Sequence, residues 1–143
     1  MSVSDVPEVM AIEQEVFSSP WTKAMFDAEL LQNPFSYSFV VRQAKQIIGY
    51  LVFWEVADEV HLLNLAVAVS WQRQGVGSQI VYWMLDREKD RGLRIVTLEV
   101  RATNNPARSL YRKYGFAEVG IRKNYYDMPP EDAILLQYDL IQG

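Results

Sequence analysis

The sequence of 143 residues contains no cysteine and a single histidine, His61. Without thiols there can be no disulfide, no thiolate zinc site and no cysteine nucleophile. One imidazole cannot build a multi-histidine metal centre, so we expect no metal cofactor and interpret His61 as an ordinary strand residue. Half of the residues are hydrophobic, which is typical of a folded domain rather than of a disordered chain.

Long apolar runs are also absent from the sequence. It has no stretch of about 18 apolar residues, and its N-terminus lacks the basic and then apolar pattern of a secretion signal. We therefore expect a cytoplasmic protein with no membrane partner. Aspartate and glutamate number 18 against 14 lysines and arginines, and the resulting net charge of −4 argues against nucleic-acid binding but is compatible with a cationic substrate.

Hydrophobic periodicity predicts one mixed α/β domain over residues 1–143, in the order helix, helix, three strands, helix, strand, helix and two strands. The first three strands read as an antiparallel meander. Because the third and fourth strands flank a crossover helix, we expect them to be parallel neighbours. The predicted helices begin near residues 5, 22, 78 and 105, and the predicted strands cover residues 37–42, 47–56, 60–67, 94–100, 116–123 and 133–140.

The segment between Leu65 and Gly77 contains the most informative pattern. An apolar strand ends there, a loop follows with glycines at positions 75 and 77, and an amphipathic helix begins. The free N–H groups at such a helix N-terminus bind phosphate, which suggests a cofactor that carries a pyrophosphate. A dinucleotide fold would need a third glycine and a P-loop would need a lysine after Gly77, and the sequence has neither. The alternative is a glycine-rich turn that merely starts a helix.

Two motifs resemble those of the GNAT acyltransferases. Gln72, Gly75 and Gly77 fit the Gln/Arg-x-x-Gly-x-Gly/Ala pattern of that family's acetyl-coenzyme A (acetyl-CoA) loop. Residues 104–116 match the pattern N-x-x-A-x-x-L-Y-x-x-x-G-F position for position. The resemblance implies the GNAT fold, a central mixed sheet flanked by helices. The family's usual first edge strand has almost no room after Met1, so we expect it to be missing or to lie upstream.

Glu99 and Tyr111 carry the chemistry in this interpretation. Glu99 alternates with Leu98 and Val100 in a predicted strand, so its side chain points away from the face that these two residues pack. A carboxylate inside a buried parallel strand is costly unless it has a task or a partner. The alternative is an ordinary salt-bridged strand glutamate. Tyr111 lies on the following helix, where the alternative is core packing. Acyl transfer from a thioester can use an acid at the leaving thiolate, and without cysteine we expect direct attack by the substrate amine.

Residues 98–104, 122–126 and 131–133 are similar to the bacterial RimI-type ribosomal-protein-alanine N-acetyltransferases. By that resemblance Glu99 is the general base and Tyr111 is the general acid. The substrate would be the N-terminal alanine of ribosomal protein S18, and the protein would be a monomer or a weak dimer. The acetyl-CoA contacts implied by the resemblance are Leu65, Ala66, Val67, Arg73, Gln74, Gly75, Val76, Gly77, Ser78 and Asn104.

The interpretation of the substrate leaves alternatives open. An α-amine has a pKa of about 8, and a lysine amine has a pKa of about 10.4. Deprotonation of an α-amine by a glutamate acting through water therefore costs about 3 kcal/mol less than deprotonation of a lysine amine. Residues 124–126 are placed between the last two strands. They would either form one side of a peptide-binding slot beside the turn at residues 18–21 or be an ordinary hairpin tip. The rivals are a GNAT enzyme for a small amine, such as a polyamine or an aminoglycoside, and a catalytically silent acetyl-CoA-binding module.

Overall fold

The computed structural model describes residues 1–141, in which six strands and four α-helices follow one another in the predicted order. One-turn 3-10 helices at Val3–Asp5 and Val69–Trp71 accompany them. The helices are α1 (Val6–Val16), α2 (Lys23–Leu31), α3 (Val76–Asp90) and α4 (Asn105–Lys113). The strands are β1 (Ser36–Gln43), β2 (Gln46–Val56), β3 (Glu59–Val67), β4 (Ile95–Arg101), β5 (Ala117–Asp127) and β6 (Pro130–Asp139).

The strands form one mixed sheet in the order β1-β2-β3-β4-β6-β5. The pairs β1–β2, β4–β6 and β5–β6 are antiparallel. The pair β3–β4 is parallel, which confirms the prediction drawn from the crossover helix α3. Within residues 1–141 the first strand of the sheet is β1, after both α1 and α2. The predicted mixed α/β class is therefore confirmed.

The contacts within the chain define two compact units, of which the first comprises Met1–Glu55 and Leu63–Gly77. α2 begins where the sequence predicts, after Thr22, whose Oγ1 accepts a hydrogen bond from the N–H of Met25 at 3.2 Å. Phe26 is the buried residue of this helix. The core of the unit consists of buried side chains from its helices and strands: Val6, Val9, Ile12, Phe26, Ile47, Tyr50, Val52, Ala66 and Ala68.

The second unit comprises Val56–Leu62 and the chain from Ser78 onward. Burial alternates along β4, where Val96, Leu98 and Val100 are buried and the residues between them are less so. This alternation follows from the pleat of a strand and confirms the predicted orientation of Glu99. After β4 the chain enters α4, whose first turn is capped by the side chain of Asn104.

The helices of the described chain are short. α3, the longest of them, has 15 residues and begins at Val76 rather than near residue 78. Gly77 and Ser78 therefore lie in the first turn of the helix, and Gly75 lies in the loop before it. In residues 1–141 no helix combines the length and the apolar character that a membrane crossing requires.

The end of β5 differs from the prediction. β5 extends to Asp127, so residues 124–126 lie within the strand, and the prediction that they separate the last two strands is wrong. The β5–β6 register shifts just here, and Asn124 has a φ of +54°. The N–H of Asn124 donates to Oδ1 of Asp132 at 2.8 Å, which holds the irregular segment against the neighbouring strand. The turn between β5 and β6 is Met128-Pro129.

Candidate active site

Glu99 lies near the end of β4 on the less buried face of the strand. Its side chain is only 9% exposed, so the carboxylate is largely removed from water. Oε2 lies 2.9 Å from Nε2 of His61 on β3, and Oε1 lies 3.5 Å from Nε of Arg122 on β5. Each carboxylate oxygen therefore has a polar partner, which offsets the cost of burying the charge.

The pKa of Glu99 lies below the ordinary value of a glutamate. The hydrogen bond from His61 is the largest cause. The charges of His61 and Arg122 act in the same direction, whereas burial of the carboxylate opposes them. A carboxyl group with a lowered pKa is ionised at neutral pH, so Glu99 is in the form that a general base requires.

The contact between His61 and Glu99 is the feature of the site that sequence reasoning missed. His61 stands opposite Thr97 in the parallel β3–β4 register. Glu99 follows two residues later in β4, and residues two apart in a strand share a face. The missing signal was the register of the two parallel strands, which the sequence pattern of either strand alone does not contain.

Tyr111 lies on α4 and is 6% exposed. Its ring meets the ring of Phe116 edge-on, with 5.3 Å between the centroids. Burial raises the pKa of its phenol above the ordinary value. The group is therefore protonated at neutral pH and can donate a proton or a hydrogen bond, while its ring also contributes to packing.

Residues 73–77 of the predicted cofactor loop belong to the first unit. Nε2 of Gln72 donates to the carbonyl oxygen of Val67 at 3.0 Å and ties the loop to the end of β3. Arg73 and Gly75 have φ values of +63° and +84°, with which the chain turns toward the start of α3. A Cβ added at Gly75 would meet nothing within 4 Å, so the backbone is open to a ligand here. N–H groups in the first turn of an α-helix lack partners within the helix, and pyrophosphate binding at the start of α3 stays a prediction.

The hairpin of β5 and β6 is fastened to the end of β4 through Arg101. Its Nη1 donates to the carbonyl oxygen of Pro129 at 2.8 Å, and its Nη2 to that of Met128 at 3.1 Å. Its guanidinium also lies 4.2 Å from the centroid of the Tyr126 ring. Tyr126, which the sequence places either in the wall of a peptide slot or in a hairpin tip, is thus held by a residue of the strand that carries Glu99.

The predicted site residues divide between the two units. Asn104 uses Oδ1 to accept the N–H of Ala107 at 3.2 Å and so caps α4, and its contact with acetyl-CoA stays a prediction. Nowhere in the described part of the chain do three or more histidines, aspartates or glutamates gather as a metal site would require. Leu65, Ala66, Val67 and residues 73–77 belong to the first unit, and Ser78, Glu99, Asn104 and Tyr111 to the second.

Comparison with known proteins points to one family. A profile of the Acetyltransferase (GNAT) family matches residues 6–116. A ribosomal protein bS18-alanine N-acetyltransferase of Escherichia coli (strain K12) is 34% identical over 138 residues, which cover 95% of this chain and 92% of that protein. A Bacillus subtilis (strain 168) protein provisionally given the same name is 37% identical over 136 residues, which cover 95% and 90% of the two chains.

Solved structures agree with the sequence relatives. The crystal structure of the ribosomal-protein-S18-alanine N-acetyltransferase from Escherichia coli has a TM-score of 0.90 and 33% identity, and the match covers 98% of this chain and 90% of that one. Ard1 from Thermoplasma volcanium has a TM-score of 0.84 and 27% identity, with coverage of 97% and 93%. These matches confirm the predicted fold, and the family uses acetyl-CoA as the acetyl donor. With its profile matched over residues 6–116 and relatives above 30% identity along 95% of its length, the chain belongs to the GNAT family of acetyltransferases.

Proposed function

We propose that this protein transfers the acetyl group of acetyl-CoA to the N-terminal alanine of ribosomal protein S18. The observation that carries the proposal is the similarity to an enzyme named for that reaction, which extends over 95% of the chain. The ionised carboxylate of Glu99 supports it, because transfer to an amine needs a group that accepts a proton.

Glu99 is the proposed general base. An α-amine with a pKa of about 8 is mostly protonated at neutral pH and must lose a proton before its nitrogen can attack the thioester carbonyl. A carboxylate oxygen of Glu99 takes that proton directly or through a water molecule. Because the pKa of Glu99 is lowered, proton transfer from the α-ammonium group to Glu99 is unfavourable. Transfer from a lysine ammonium group is less favourable still, since its pKa is about 2.4 units higher. The base therefore favours an α-amine.

The charge beside Glu99 argues against a polyamine substrate. The guanidinium of Arg122 lies 3.5 Å from Oε1, so a cation already occupies this side of the carboxylate. A polyamine would bring several further positive charges to the same place, and like charges at short distance repel. A peptide N-terminus brings one ammonium group, which becomes neutral before it reacts.

Tyr111 is the proposed general acid. As the nitrogen–carbon bond forms, the carbon–sulfur bond breaks and its electron pair stays on sulfur. The phenol of Tyr111 protonates the thiolate. The attacking nitrogen loses its second proton as it becomes the amide nitrogen, and this proton restores the phenol. Because burial raises the pKa of Tyr111, it is a weak acid, and Tyr111→Phe should lower kcat only about tenfold. Normal turnover with a large loss of stability in that variant would make the tyrosine purely structural.

A panel of amines tests the substrate assignment. A peptide with the N-terminal sequence of ribosomal protein S18 should release CoA and gain one acetyl group at its α-amine, as located by mass spectrometry. The same peptide with a blocked N-terminus but a free lysine, and spermidine, should react at least about tenfold more slowly. Preferred turnover of spermidine would replace the proposed substrate with a small amine, and no turnover of any amine would favour a silent binding module.

Gly75 tests the proposed acetyl-CoA loop. Gly75→Val should raise the dissociation constant for acetyl-CoA at least about tenfold, because a β-branched side chain at a φ of +84° both strains the loop and fills its open space. Gly92, at the end of α3, is the matched control: its φ is +82° and a Cβ there also meets nothing within 4 Å. Gly92→Val should lose similar stability with unchanged affinity. Equal affinities of the two variants, measured by calorimetry, would remove the loop assignment.

A further inference from the structure

Three strands of the second unit bring polar groups together around one carboxylate. His61 is on β3, Glu99 on β4 and Arg122 on β5. The parallel register places His61 opposite Thr97, which puts its ring on the face from which Glu99 projects. Neither His61 nor Arg122 has a part in the acyl-transfer chemistry described above, so their convergence on Glu99 needs an explanation of its own.

The two partners engage different oxygens of Glu99. Nε2 of His61 lies 2.9 Å from Oε2, within hydrogen-bond distance. Nε of Arg122 lies 3.5 Å from Oε1, which is an ion-pair contact rather than a short hydrogen bond. A carboxylate held at both oxygens cannot rotate freely about its terminal bond. Its free lone pairs are therefore fixed in direction before any substrate binds.

We propose that His61 and Arg122 are positioning residues for Glu99, clamping its two carboxylate oxygens so that one orientation of the base is presented to the substrate amine. This inference rests on the proposed function, because it presumes that Glu99 accepts the proton. It assigns the only histidine of the sequence, His61, a role in supporting catalysis at this site. It also explains why a glutamate can be almost fully buried in a strand and still serve as a base.

The clamp has an electrostatic consequence. Burial by itself raises the pKa of Glu99, and the hydrogen bond from His61 is the largest of the causes that lower it. Other groups face the carboxylate: Arg122 from β5 with a favourable charge, and Tyr126 from β5, a neutral phenol. The residue paired with it on β6 is the apolar Leu135. Removal of His61 therefore leaves burial less opposed, and the pKa of Glu99 rises.

Removal of His61 should lower activity mainly at low pH. Glu99 accepts a proton only when it is ionised, so a higher pKa inactivates a larger fraction of the enzyme at low pH. The fall of kcat on the acidic side should then begin at a higher pH, while kcat at alkaline pH changes less. A side chain that only filled space at position 61 would change kcat by the same factor at every pH.

The experiment compares His61→Leu, His61→Gln and Arg122→Met with the unmodified protein. We would measure kcat between pH 4 and 9 at saturating concentrations of acetyl-CoA and of an alanine-initiated peptide. In His61→Leu the acidic limb should move upward by about one pH unit, so the loss of kcat should grow toward the acid end of the range and be small at pH 8.5. His61→Gln keeps an N–H donor and should restore most of kcat. Arg122→Met should shift the limb in the same direction but less, since its contact is longer.

Each outcome decides a separate question. An acidic limb unchanged in both His61→Leu and Arg122→Met removes the positioning role. Should His61→Leu fail to fold, Arg122→Met still tests the clamp, because the Arg122 side chain is 55% exposed and its loss leaves no cavity. Glu99→Gln, assayed in parallel, separates this inference from the proposed function: full activity there removes the base itself, whereas lost activity there with unchanged limbs elsewhere removes only the clamp.

A second measurement tests the contact without changing His61. Since the chain contains one histidine, the imidazole nitrogen resonances in an NMR spectrum can be assigned to His61 directly. They should shift in Glu99→Ala, which removes both carboxylate oxygens. The matched control is Glu59→Ala, which alters an exposed glutamate of the same strand, β3, and should leave them in place. Resonances that ignore the loss of Glu99 would show that the two side chains are not bonded in solution.

Discussion

Glu99→Gln is expected to lower kcat at neutral pH by about 100-fold or more, while the dissociation constant for acetyl-CoA stays nearly constant. Glutamine keeps the shape of the side chain and an oxygen that can accept from His61, but it cannot accept a proton. The loss should therefore appear in kcat and not in the folding of β4. Steady-state kinetics of CoA release, with calorimetry of acetyl-CoA binding, measures both quantities.

The control for this substitution is Glu59→Gln, which makes the same chemical change on the neighbouring strand. Glu59 is 56% exposed and has only a 3.8 Å ion-pair contact with Arg94, so its neutralisation should leave turnover unchanged. If Glu99→Gln turns over at the unmodified rate, the base is another group or bulk water. The site would then resemble an entropy trap that aligns the amine and the thioester, without a base of its own.

The order of the secondary structure could be predicted because each element has a local signal. Thr22 and Asn104 cap helices through their own side chains, and these helices begin next to the predicted residues 22 and 105. The parallel pairing of β3 with β4 follows from the handed crossover that α3 makes between them. In these cases the signal is the order of the elements or a residue at the boundary of one element, so a single sequence is sufficient.

The end of β5 could not be predicted, because its cause is not local. Asn124 has the residue type and the positive φ of a turn, and read alone it ends a strand. The strand continues because Asp132 accepts the N–H of Asn124 and because Arg101 packs on the ring of Tyr126. Both partners come from other strands, so only the tertiary structure shows that β5 continues through residues 124–126.

The partners of Glu99 show the same limit in the site itself. The sequence indicates a carboxylate that needs a task or a partner, and this much the structure supports by its burial. Which partner it has depends on the register between β3 and β4, and a shift of one residue would have turned His61 to the opposite face. Residue types thus identify the candidate base, whereas strand register determines its electrostatic environment.

Glu13 of α1 is a second buried carboxylate, and its role is structural. It is 1% exposed and lies on the apolar stripe of α1, one turn after Val9. Oε2 accepts the N–H of Trp21 at 2.9 Å, and Oε1 accepts from Nδ2 of Asn64 at 2.8 Å and from the hydroxyl of Tyr50. Burial, with the adjacent carboxylate, raises the pKa of Tyr50, which keeps the phenol protonated as a donor. One side chain therefore joins α1 to the turn before α2 and to two strands.

Glu13→Ala is expected to lower the free energy of unfolding by about 3 kcal/mol, because three donors, two of them buried, lose their acceptor at once and a cavity replaces the side chain. The corresponding fall in Tm is about 10 °C. Urea denaturation followed by circular dichroism measures the free energy. The control is Glu15→Ala, an exposed position on the same helix, where the change should stay within about 0.5 kcal/mol. Equal stabilities of the two variants would mean that the donors around Glu13 find water or other acceptors when it is removed.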